Sequence, residues 1–389
     1  MNNYLKIIFI MKLFLINFIS CNEQGNTVRI SSENIITIED YELKDHYKES
    51  DVFSSVELIP LETTDLSLIG AISKIVVKDS VIYILDPKSK SILLFNKKGK
   101  YLNKIRNIGL GPNEYIEASD FTLLTNNDIM VLDAETGRFI QFKKDGTPFR
   151  TYNLPFSADG VECINDSLFA FNGSSYEDKL IVWNMMENKV INSFFDYDQR
   201  YSTRILKPLI KYDHSVYFTL ENSSVIYDVT DDEPREKWYI DFGKRNININ
   251  TLKEVEFGMY AKNSSVAEMN EFSETTGHVL FSFQCEDLNE YPYYVCYSKK
   301  TGKKRILTHD YYISDLTFSL YPPDIITATD TDQLVACFWA YDLLEKNVTY
   351  NDAKMEERTL QRWLEYREKV KDVKEFDNPV IGSFSLKDF

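Results

Sequence analysis

The chain has 389 residues, of which 43% are apolar, 25 are Tyr and 25 are Phe. This composition is enough for a large core, and the length fits two or three ordinary domains or one closed ring of repeats. The formal charge of −16 argues against a nucleic-acid partner, whose phosphates require clustered Lys and Arg. It also disfavours electrostatic docking to anionic lipid head groups.

The first twenty residues have the features of a secretory signal peptide. Lys6 and Lys12 precede short apolar runs, and a polar stretch begins directly after Cys21. The apolar run is too short for a comfortable membrane span. Phe18-Ile19-Ser20-Cys21 resembles the lipobox of bacterial lipoproteins, with Phe18 where Leu is usual. We therefore expect a signal peptide over 1–20, lipid on Cys21 and a lead-in over 21–54. An ordinary cleaved signal and a plain anchor are the alternatives.

One pattern of strand-type residues is repeated between residues 82 and 152. The first copy begins with Ile82–Asp86 and the second with Ile129–Asp133, at a constant offset of 47 residues. Six pairs are identical at this offset: Ile82/Ile129, Leu85/Leu132, Asp86/Asp133, Phe95/Phe142, Lys97/Lys144 and Gly99/Gly146. A repeat of this length, rich in apolar and aromatic residues, is typical of one blade of a β-propeller.

Six apolar runs recur along the chain, and each predicts a strand that is buried on both faces between neighbouring blades. The runs are Ile82–Leu85, Ile129–Leu132, Leu168–Phe171, Val216–Leu220, Val279–Phe283 and Leu334–Phe338. Most are followed by a hairpin, and turns such as Lys299–Gly302 carry a glycine suited to positive φ. The sequence therefore predicts an all-β fold, a six-bladed β-propeller over residues 55–389. We expect the strand at 55–61 to complete the last blade and close the ring.

Two segments interrupt the strand pattern. Residues 246–276 carry apolar side chains at roughly helical spacing, which predicts a helical insertion between blades four and five. Residues 353–375 predict a C-terminal helix that packs on the rim of blade six. Its packed side is expected to include Met355, Leu360, Trp363, Leu364 and Val370. The segment from Asn378 to Leu386 then returns as a last strand.

Cysteine and histidine residues give no support for a metal site. Cys163, Cys285, Cys296 and Cys337 form no CxxC pair, and buried thiols are the ordinary interpretation. A disulfide between Cys285 and Cys296 across a hairpin stays open. The four histidines are scattered, and His214 and His278 each precede a buried strand. We find no hydrolase, P-loop or metalloprotease motif, and we predict no cofactor.

Several stretches together resemble a known family. They are Pro60–Gly70, Ile82–Asp86, Gly109–Tyr115 and Asp377–Val380. They are similar to the exported six-bladed β-propeller proteins abundant in Bacteroidetes, which are commonly lipoproteins and distant relatives of NHL-repeat propellers. The resemblance covers about residues 55–386. It implies the fold and a lipid-anchored place at the outer membrane, on the periplasmic or cell-surface side, and it implies no activity.

The longest connections are expected to lie on one face of the propeller. In a four-stranded blade, the loop from the second to the third strand and the loop to the next blade share a face. Function concentrates in loops on a rigid scaffold, so this face is the predicted binding face. The candidate ligand-binding residues are Arg106, Asn113, Glu114 and Tyr115. The structural alternative is that the Gly-Pro turn fixes the blade crossing, with Glu114 accepting backbone N–H bonds.

Two functions follow as hypotheses. The first is a non-enzymatic, monomeric propeller in the cell envelope that binds a glycan, a peptide or another envelope protein. The second is a propeller enzyme, a lyase or hydrolase, that uses carboxylates around the central channel. Three or more ionisable side chains facing the channel favour the enzyme, whereas an apolar or aromatic surface favours binding.

Overall fold

The computed structural model describes residues 34–45, 47–174, 177–196, 208–220, 223–230, 233–246, 267–285, 288, 291–308, 313–318, 325–345 and 357–389. Its strands form six separate sheets, and each sheet contains four strands that run antiparallel to their neighbours. Six sheets confirm the predicted number of blades.

Blades one to three follow each other without interruption. Their strands are β3 (Lys74–Lys78), β4 (Val81–Asp86), β5 (Ser91–Asn96), β6 (Tyr101–Ile105); β7 (Asp120–Leu123), β8 (Ile129–Asp133), β9 (Arg138–Phe142), β10 (Pro148–Asn153); β11 (Ala158–Asn165), β12 (Leu168–Gly173), β13 (Leu180–Asn184) and β14 (Lys189–Phe194). The segments starting at Ile82 and Ile129 are thus the second strands of adjacent blades, as the repeat predicts.

Blades four to six complete the ring. Their strands are β15 (Leu209–Tyr212), β16 (Ser215–Thr219), β17 (Val225–Val229), β18 (Pro234–Asp241); β19 (Glu268–Glu274), β20 (His278–Gln284), β21 (Tyr293–Ser298), β22 (Lys304–Thr308); β23 (Ile325–Ala328), β24 (Gln333–Phe338), β25 (Val380–Leu386) and β2 (Phe53–Pro60). The short strand β1 (Ile35–Thr37) is the fifth strand of the fourth sheet.

The ring is closed by pairing between the two ends of the propeller sequence. β2 is the outermost strand of blade six and pairs with β25 from Phe53↔Leu386 to Pro60↔Val380. This confirms the strand predicted at 55–61, which begins two residues earlier. Because blade six contains both ends of the repeat array, it cannot form without the segment before blade one.

The core consists of apolar layers between blades, and this explains why the second strands are nearly continuous apolar runs. All five residues of β8 are buried, whereas the outer strand β14 alternates between exposed and half-buried positions. Tyr83 and Leu85 of blade one pack with Phe121 and Val131 of blade two in one such layer. Each blade therefore depends on its neighbours to cover its two faces.

The helices lie outside the sheets. They are α1 (Glu49–Val52), α2 (Ala340–Glu345) and α3 (Glu357–Val370). Helix α3 confirms the predicted C-terminal helix, and its Trp363, Tyr366 and Val370 are buried against the core of blades five and six. Leu364 is 49% exposed, so its predicted place on the packed side of the helix is wrong. It follows the buried Trp363 directly, and its side chain points to solvent.

The predicted insertion at 246–276 is described only at its ends. Gly243–Arg245 form one turn of 3₁₀ helix before it, and Glu268–Glu274 are strand β19 rather than helix. Residues 247–266, which carry the helical periodicity, lie outside the described residues. Within the described part of the chain, no helix combines the length and the apolar character needed to cross a bilayer.

Candidate functional site

The loops between blades one and two lie together on one face, as the strand order predicts. Arg106, in the loop between the blades, donates its Nε hydrogen bond to the carbonyl oxygen of Ser89 at 3.2 Å. Lys90, in the loop between second and third strands, reaches the carbonyl oxygen of Ile116 at 3.2 Å. We call the face formed by these two classes of connection the loop face, and the opposite one the turn face.

Two buried aspartates hold the loops of this face. The carboxylate of Asp86 accepts the backbone N–H of Gly70 at 3.0 Å and that of Ala71 at 3.1 Å. The carboxylate of Asp133 accepts the N–H of Ile116 at 2.9 Å. Both side chains are fully buried. Asp86 and Asp133 are one of the identical pairs of the repeat. Each aspartate ends the second strand of its blade and binds the loop that leads into the first strand of the same blade.

Tyr115 holds the loop between blades one and two from the side of the core. Its side chain is fully buried, and its hydroxyl donates to the carbonyl oxygens of Lys90 at 3.0 Å and Ile105 at 3.2 Å. Burial raises the pKa of Tyr115 to about 12. With no exposed surface it cannot touch a ligand in this arrangement, so its predicted binding role is replaced by a structural one.

Glu114 explains the two glycines of the Gly109–Tyr115 segment. Its Oε2 accepts the N–H of Gly111 at 2.7 Å. A Cβ at Gly109 would lie 2.0 Å from that oxygen, and one at Gly111 would lie 2.9 Å from it. A side chain at either position would displace this carboxylate from its hydrogen bond to Gly111. The observed contact is the one that the structural alternative expects for Glu114.

The other two candidates are closer to solvent. Asn113 has a positive φ of 59° and accepts a hydrogen bond from the Thr151 hydroxyl at 2.9 Å through its side-chain oxygen. Arg106 is exposed. Of the four predicted residues, Arg106 is therefore the one whose charged group is presented to solvent on the loop face. Ligand binding by Arg106 and Asn113 stays a prediction.

Exposed apolar side chains are concentrated in the connections of the loop face. Among the described residues, eight lie in these connections: Leu66, Leu68, Ile108, Leu110, Leu288, Tyr291, Tyr341 and Phe376. Ile313 and Leu364 are also exposed, but Ile313 pairs with Lys48, and helix α3, which carries Leu364, contacts the outer strand β2 through Lys369. Leu66 is 64% exposed, Leu110 is 68% exposed and Phe376 is 83% exposed. The pattern of the sequence could not show this, because it does not distinguish an exposed leucine in a loop from a buried one.

Asn378 joins two of the segments that carry these apolar side chains. Its Oδ1 accepts the N–H of Ile69 at 2.8 Å, and its Nδ2 donates to the carbonyl oxygens of Glu62 and Ser67, both at 2.8 Å. The 62–69 loop is thus fixed to the chain just after Phe376. The stretches around 60–70 and 377–380, which share the family resemblance, meet at this residue.

Three ionisable side chains from three blades meet at the inner strands. Lys74 lies 2.9 Å from a carboxylate oxygen of Asp120 and 2.8 Å from one of Glu162. The Thr122 hydroxyl donates to the other oxygen of Glu162 at 2.8 Å. Because Lys74 is in blade one and Glu162 is in blade three, this contact lies near the axis of the ring. We call it the channel cluster.

The channel cluster is largely desolvated. The side chains of Lys74, Asp120 and Glu162 are 17%, 15% and 7% exposed. Burial alone would lower the pKa of Lys74, but the facing carboxylates outweigh it and raise that pKa. Burial raises the pKa of Asp120, although Lys74 opposes the shift. The cluster meets the condition that favours an enzyme, which is three or more ionisable side chains facing the channel. The three groups form ion pairs with one another, however.

The two described histidines lie on the turn face, as predicted. His214 is in the turn before β16 and its side chain is 97% exposed. His278 begins β20, is 5% exposed, and its Nε2 lies 3.2 Å from the carbonyl oxygen of Lys387. Burial lowers the pKa of His278. His46 and His309 lie outside the described residues.

No metal or disulfide site can be built from the part of the chain that the structure describes. No group of three or more His, Cys, Asp or Glu side chains there could hold a metal ion. Cys163, Cys285, Cys296 and Cys337 are all thiols, and the first three are buried. Buried thiols were the ordinary interpretation of these cysteines, and Cys337 differs only in being partly exposed.

The fold is shared with solved structures of low sequence identity. A protein of Bacteroides fragilis described as exported has a TM-score of 0.71 at 19% identity, over 91% of this chain and 100% of that one. A member of the DUF4221 family from Bacteroides vulgatus has a TM-score of 0.51 at 10% identity, over 87% and 98%. Virginiamycin B lyase from Staphylococcus aureus has a TM-score of 0.38 at 12% identity, over 65% and 74%.

Sequence comparison gives a family but no characterised relative. A search of curated proteins finds no match. A family model described as Domain of unknown function (DUF4934) matches residues 33–384, which include all six blades.

Proposed function

The chain belongs to the DUF4934 family, and we propose that it is a binding protein that holds a peptide or a protein segment on its loop face. The observation that carries this proposal is the concentration of exposed apolar side chains in the connections of that face. Single exposed apolar residues are normal on any surface, but a set of them on neighbouring functional loops marks an interaction site.

The chemistry of these side chains favours a polypeptide over a glycan. Leu66, Leu68, Ile108 and Leu110 are aliphatic, and aliphatic side chains pack well against the apolar side chains of a peptide. Sugar rings are usually held by flat aromatic surfaces, and the loops over blades one and two expose none. The loops are also fixed by Asp86, so little ordering would be required on binding.

We propose that the protein is exported and held at the outer membrane by lipid on Cys21. The support for export is the signal-like segment over 1–20 and the similarity to the Bacteroides fragilis protein described as exported. A lipid on the N-terminus would leave the whole propeller outside the bilayer. Metabolic labelling with a palmitate analogue, compared between the native chain and Cys21→Ala, tests the anchor; label that persists in the variant would refute it.

Selection from a random peptide display library tests the binding function. The purified protein should enrich a recurrent peptide pattern, and Leu66→Ser/Leu68→Ser/Leu110→Ser should lose most of the affinity for it. The matched control is Leu102→Ser/Phe149→Ser/Met186→Ser, which removes three exposed apolar side chains from outer strands and a turn. Equal losses in both variants, or enrichment from a glycan array instead, would contradict the proposal.

A propeller enzyme is the second candidate, and the channel cluster is the observation that favours it. A carboxyl group with a raised pKa at the axis of the ring, as in Asp120, suits general acid–base chemistry. Against this, Asp120 and Glu162 are both paired with Lys74, so neither is directed at an open substrate site. A screen of hydrolase and lyase substrates would support the enzyme if turnover were lost in Glu162→Gln while the folded fraction was unchanged.

A further inference from the structure

The outer hairpins of blades one and two carry a concentration of positive charge. Each hairpin joins the third strand of its blade to the fourth, and we call residues 96–102 and 143–150 together the rim patch. Its six cations are Lys97, Lys98, Lys100, Lys143, Lys144 and Arg150, and its one carboxylate is that of Asp145. All six cations are exposed. This is unexpected in a chain of net charge −16, where carboxylates outnumber cations.

The two hairpins are in contact, so their charges belong to one surface. Asn103, which follows the first hairpin, donates through its Nδ2 to the carbonyl oxygen of Asp145 at 2.8 Å. Leu102 and Phe149 protrude among the cations and are 50% and 56% exposed. The Nζ of Lys143 lies 5.6 Å from the centroid of the Phe149 ring. The rim patch therefore combines positive charge with two protruding apolar side chains.

The cations of the rim patch form no ion pair within the described residues. The ion pairs of that part of the chain involve other lysines and arginines. The carboxylate of Asp145 accepts the N–H of Thr147 at 2.9 Å, and it holds the turn in this way. The pKa of Asp145 is lowered, mainly by hydrogen bonds from Thr147 and to a smaller extent by Lys143. One carboxylate therefore offsets only part of the charge of six cations.

The surroundings of the rim patch reduce its charge without reversing it. The bordering carboxylates are those of Glu57, Glu62, Asp79 and Asp128, and the bordering cations are Lys78 and Lys104. The carboxylates of Glu62 and Asp128 accept the backbone N–H groups of Tyr101 and Lys144, at 2.9 and 3.3 Å. With these neighbours included there are eight cations and five carboxylates, so the local net charge is +3.

We propose that the rim patch docks on a lipid bilayer that carries anionic head groups. Lysines near such a surface are attracted to it, and exposed leucine and phenylalanine side chains enter its interfacial region. The net charge of −16 opposes docking of the protein as a whole. At physiological salt, however, a charge acts over only about 8 Å, so the local charge of the hairpins that meet the surface decides the affinity.

A bilayer fits the rim patch better than a compact ligand does. Every residue from Thr147 to Arg150 is exposed, so this part of the patch projects from the ring and does not enclose a ligand. Five of its six cations are lysines, whose flexible ammonium groups suit head groups at variable positions. The patch adds a second contact to the lipid proposed on Cys21, and a lipid chain together with a basic patch gives stable attachment.

Cosedimentation with lipid vesicles tests this docking. The test uses the full chain with Cys21→Ala, so that binding does not depend on the N-terminal lipid. This protein should sediment with vesicles that mix phosphatidylcholine and phosphatidylglycerol, and it should not sediment with phosphatidylcholine alone. Raising NaCl from 50 to 500 mM should release it. Adding Lys97→Gln/Lys98→Gln/Lys144→Gln should lower the partition coefficient at least about 10-fold.

The matched control removes the same charge from exposed positions outside the rim patch. Lys88→Gln/Lys303→Gln/Lys374→Gln in the same Cys21→Ala chain should leave the partition coefficient unchanged. Both variants should keep the Tm of the parent chain, because the replaced side chains are exposed.

Three results would overturn the proposal. Equal losses in the two variants would mean that net charge, rather than the rim patch, decides the affinity. No sedimentation with phosphatidylglycerol would leave these lysines the role of protecting outer strands from edge pairing. Release by inorganic phosphate, at an ionic strength where NaCl has no effect, would indicate a site for free phosphate instead of a bilayer. None of these results bears on peptide binding, because the rim patch is separate from the connections of the loop face.

Discussion

Replacement of Lys74 by methionine should show what the channel cluster does. Lys74 is the one cation between Asp120 and Glu162, at 2.9 and 2.8 Å, and its Nζ also donates to the carbonyl oxygen of Val161 at 3.2 Å. Methionine keeps most of the volume of the side chain and removes the charge. Two carboxylates from blades two and three would then face each other with little solvent around them.

The expected loss follows from the burial of the partners. Breaking a buried ion pair by removing one member costs about 3–5 kcal/mol. The partial exposure of the three side chains places this variant at the lower end. Unfolding entropy is about 2.1 cal/mol/K per residue, so about 3 kcal/mol in a unit of this size lowers Tm by about 4 °C.

Differential scanning calorimetry of Lys74→Met at pH 7.5 and pH 5 measures this effect. Lys74 opposes the raised pKa of Asp120, so without the cation that pKa rises further and the carboxyl group becomes neutral more readily on acidification. The deficit in Tm relative to the native chain should therefore shrink towards pH 5. Adding Asp120→Asn and Glu162→Gln should recover at least half of it at pH 7.5. A loss below about 1 °C, or no recovery in the triple variant, would refute the structural role of the cluster.

Four further variants test other parts of the fold by thermal unfolding. His278→Gln should flatten the fall in stability between pH 7.5 and 5.5. The folded-state pKa of His278 is lowered, so the unfolded chain takes up the extra proton as pH falls, at most about 1.4 kcal/mol per pH unit; an unchanged slope would contradict this. Asp86→Asn should cost about 1–3 kcal/mol, because an amide cannot accept both the Gly70 and Ala71 N–H groups; a neutral effect would contradict the loop-holding role. Tyr115→Phe should lower the free energy of unfolding by about 1 kcal/mol, because the hydroxyl that donates to the Lys90 and Ile105 carbonyl oxygens is lost. A loss of peptide binding larger than this loss of stability would instead indicate that Tyr115 contacts the ligand. Trp363→Ala should cost about 3–5 kcal/mol, and an unaffected Tm would mean that α3 is not packed on the core.

The fold was predictable because burial leaves a pattern in the sequence. The second strands at Ile82 and Ile129 are covered on both faces by neighbouring blades, so every position before the final aspartate is apolar or aromatic and the 47-residue offset is visible. The closing strand could be placed because blade six has only three strands of its own. The prediction for Leu364 in α3 was wrong because the spacing of apolar residues does not decide which of two adjacent ones, Trp363 or Leu364, points towards the core.

The candidate site was only partly predictable. The sequence indicates the loop and the Gly109–Tyr115 motif, but it does not show that Tyr115 points into the core and holds Lys90 and Ile105. The channel cluster depends on side chains from blades one, two and three meeting at the axis, which no local pattern records. The exposed leucines are likewise a property of the folded surface.

Hydrogen–deuterium exchange with a bound peptide from the display selection tests the central claim most directly. The account predicts slower exchange at 62–70, 86–90 and 106–116 on the loop face, and no change at the turns 97–100 and 143–147 of the same blades. Protection of those turns, or protection confined to the inner strands around Lys74, would contradict binding on the loop face.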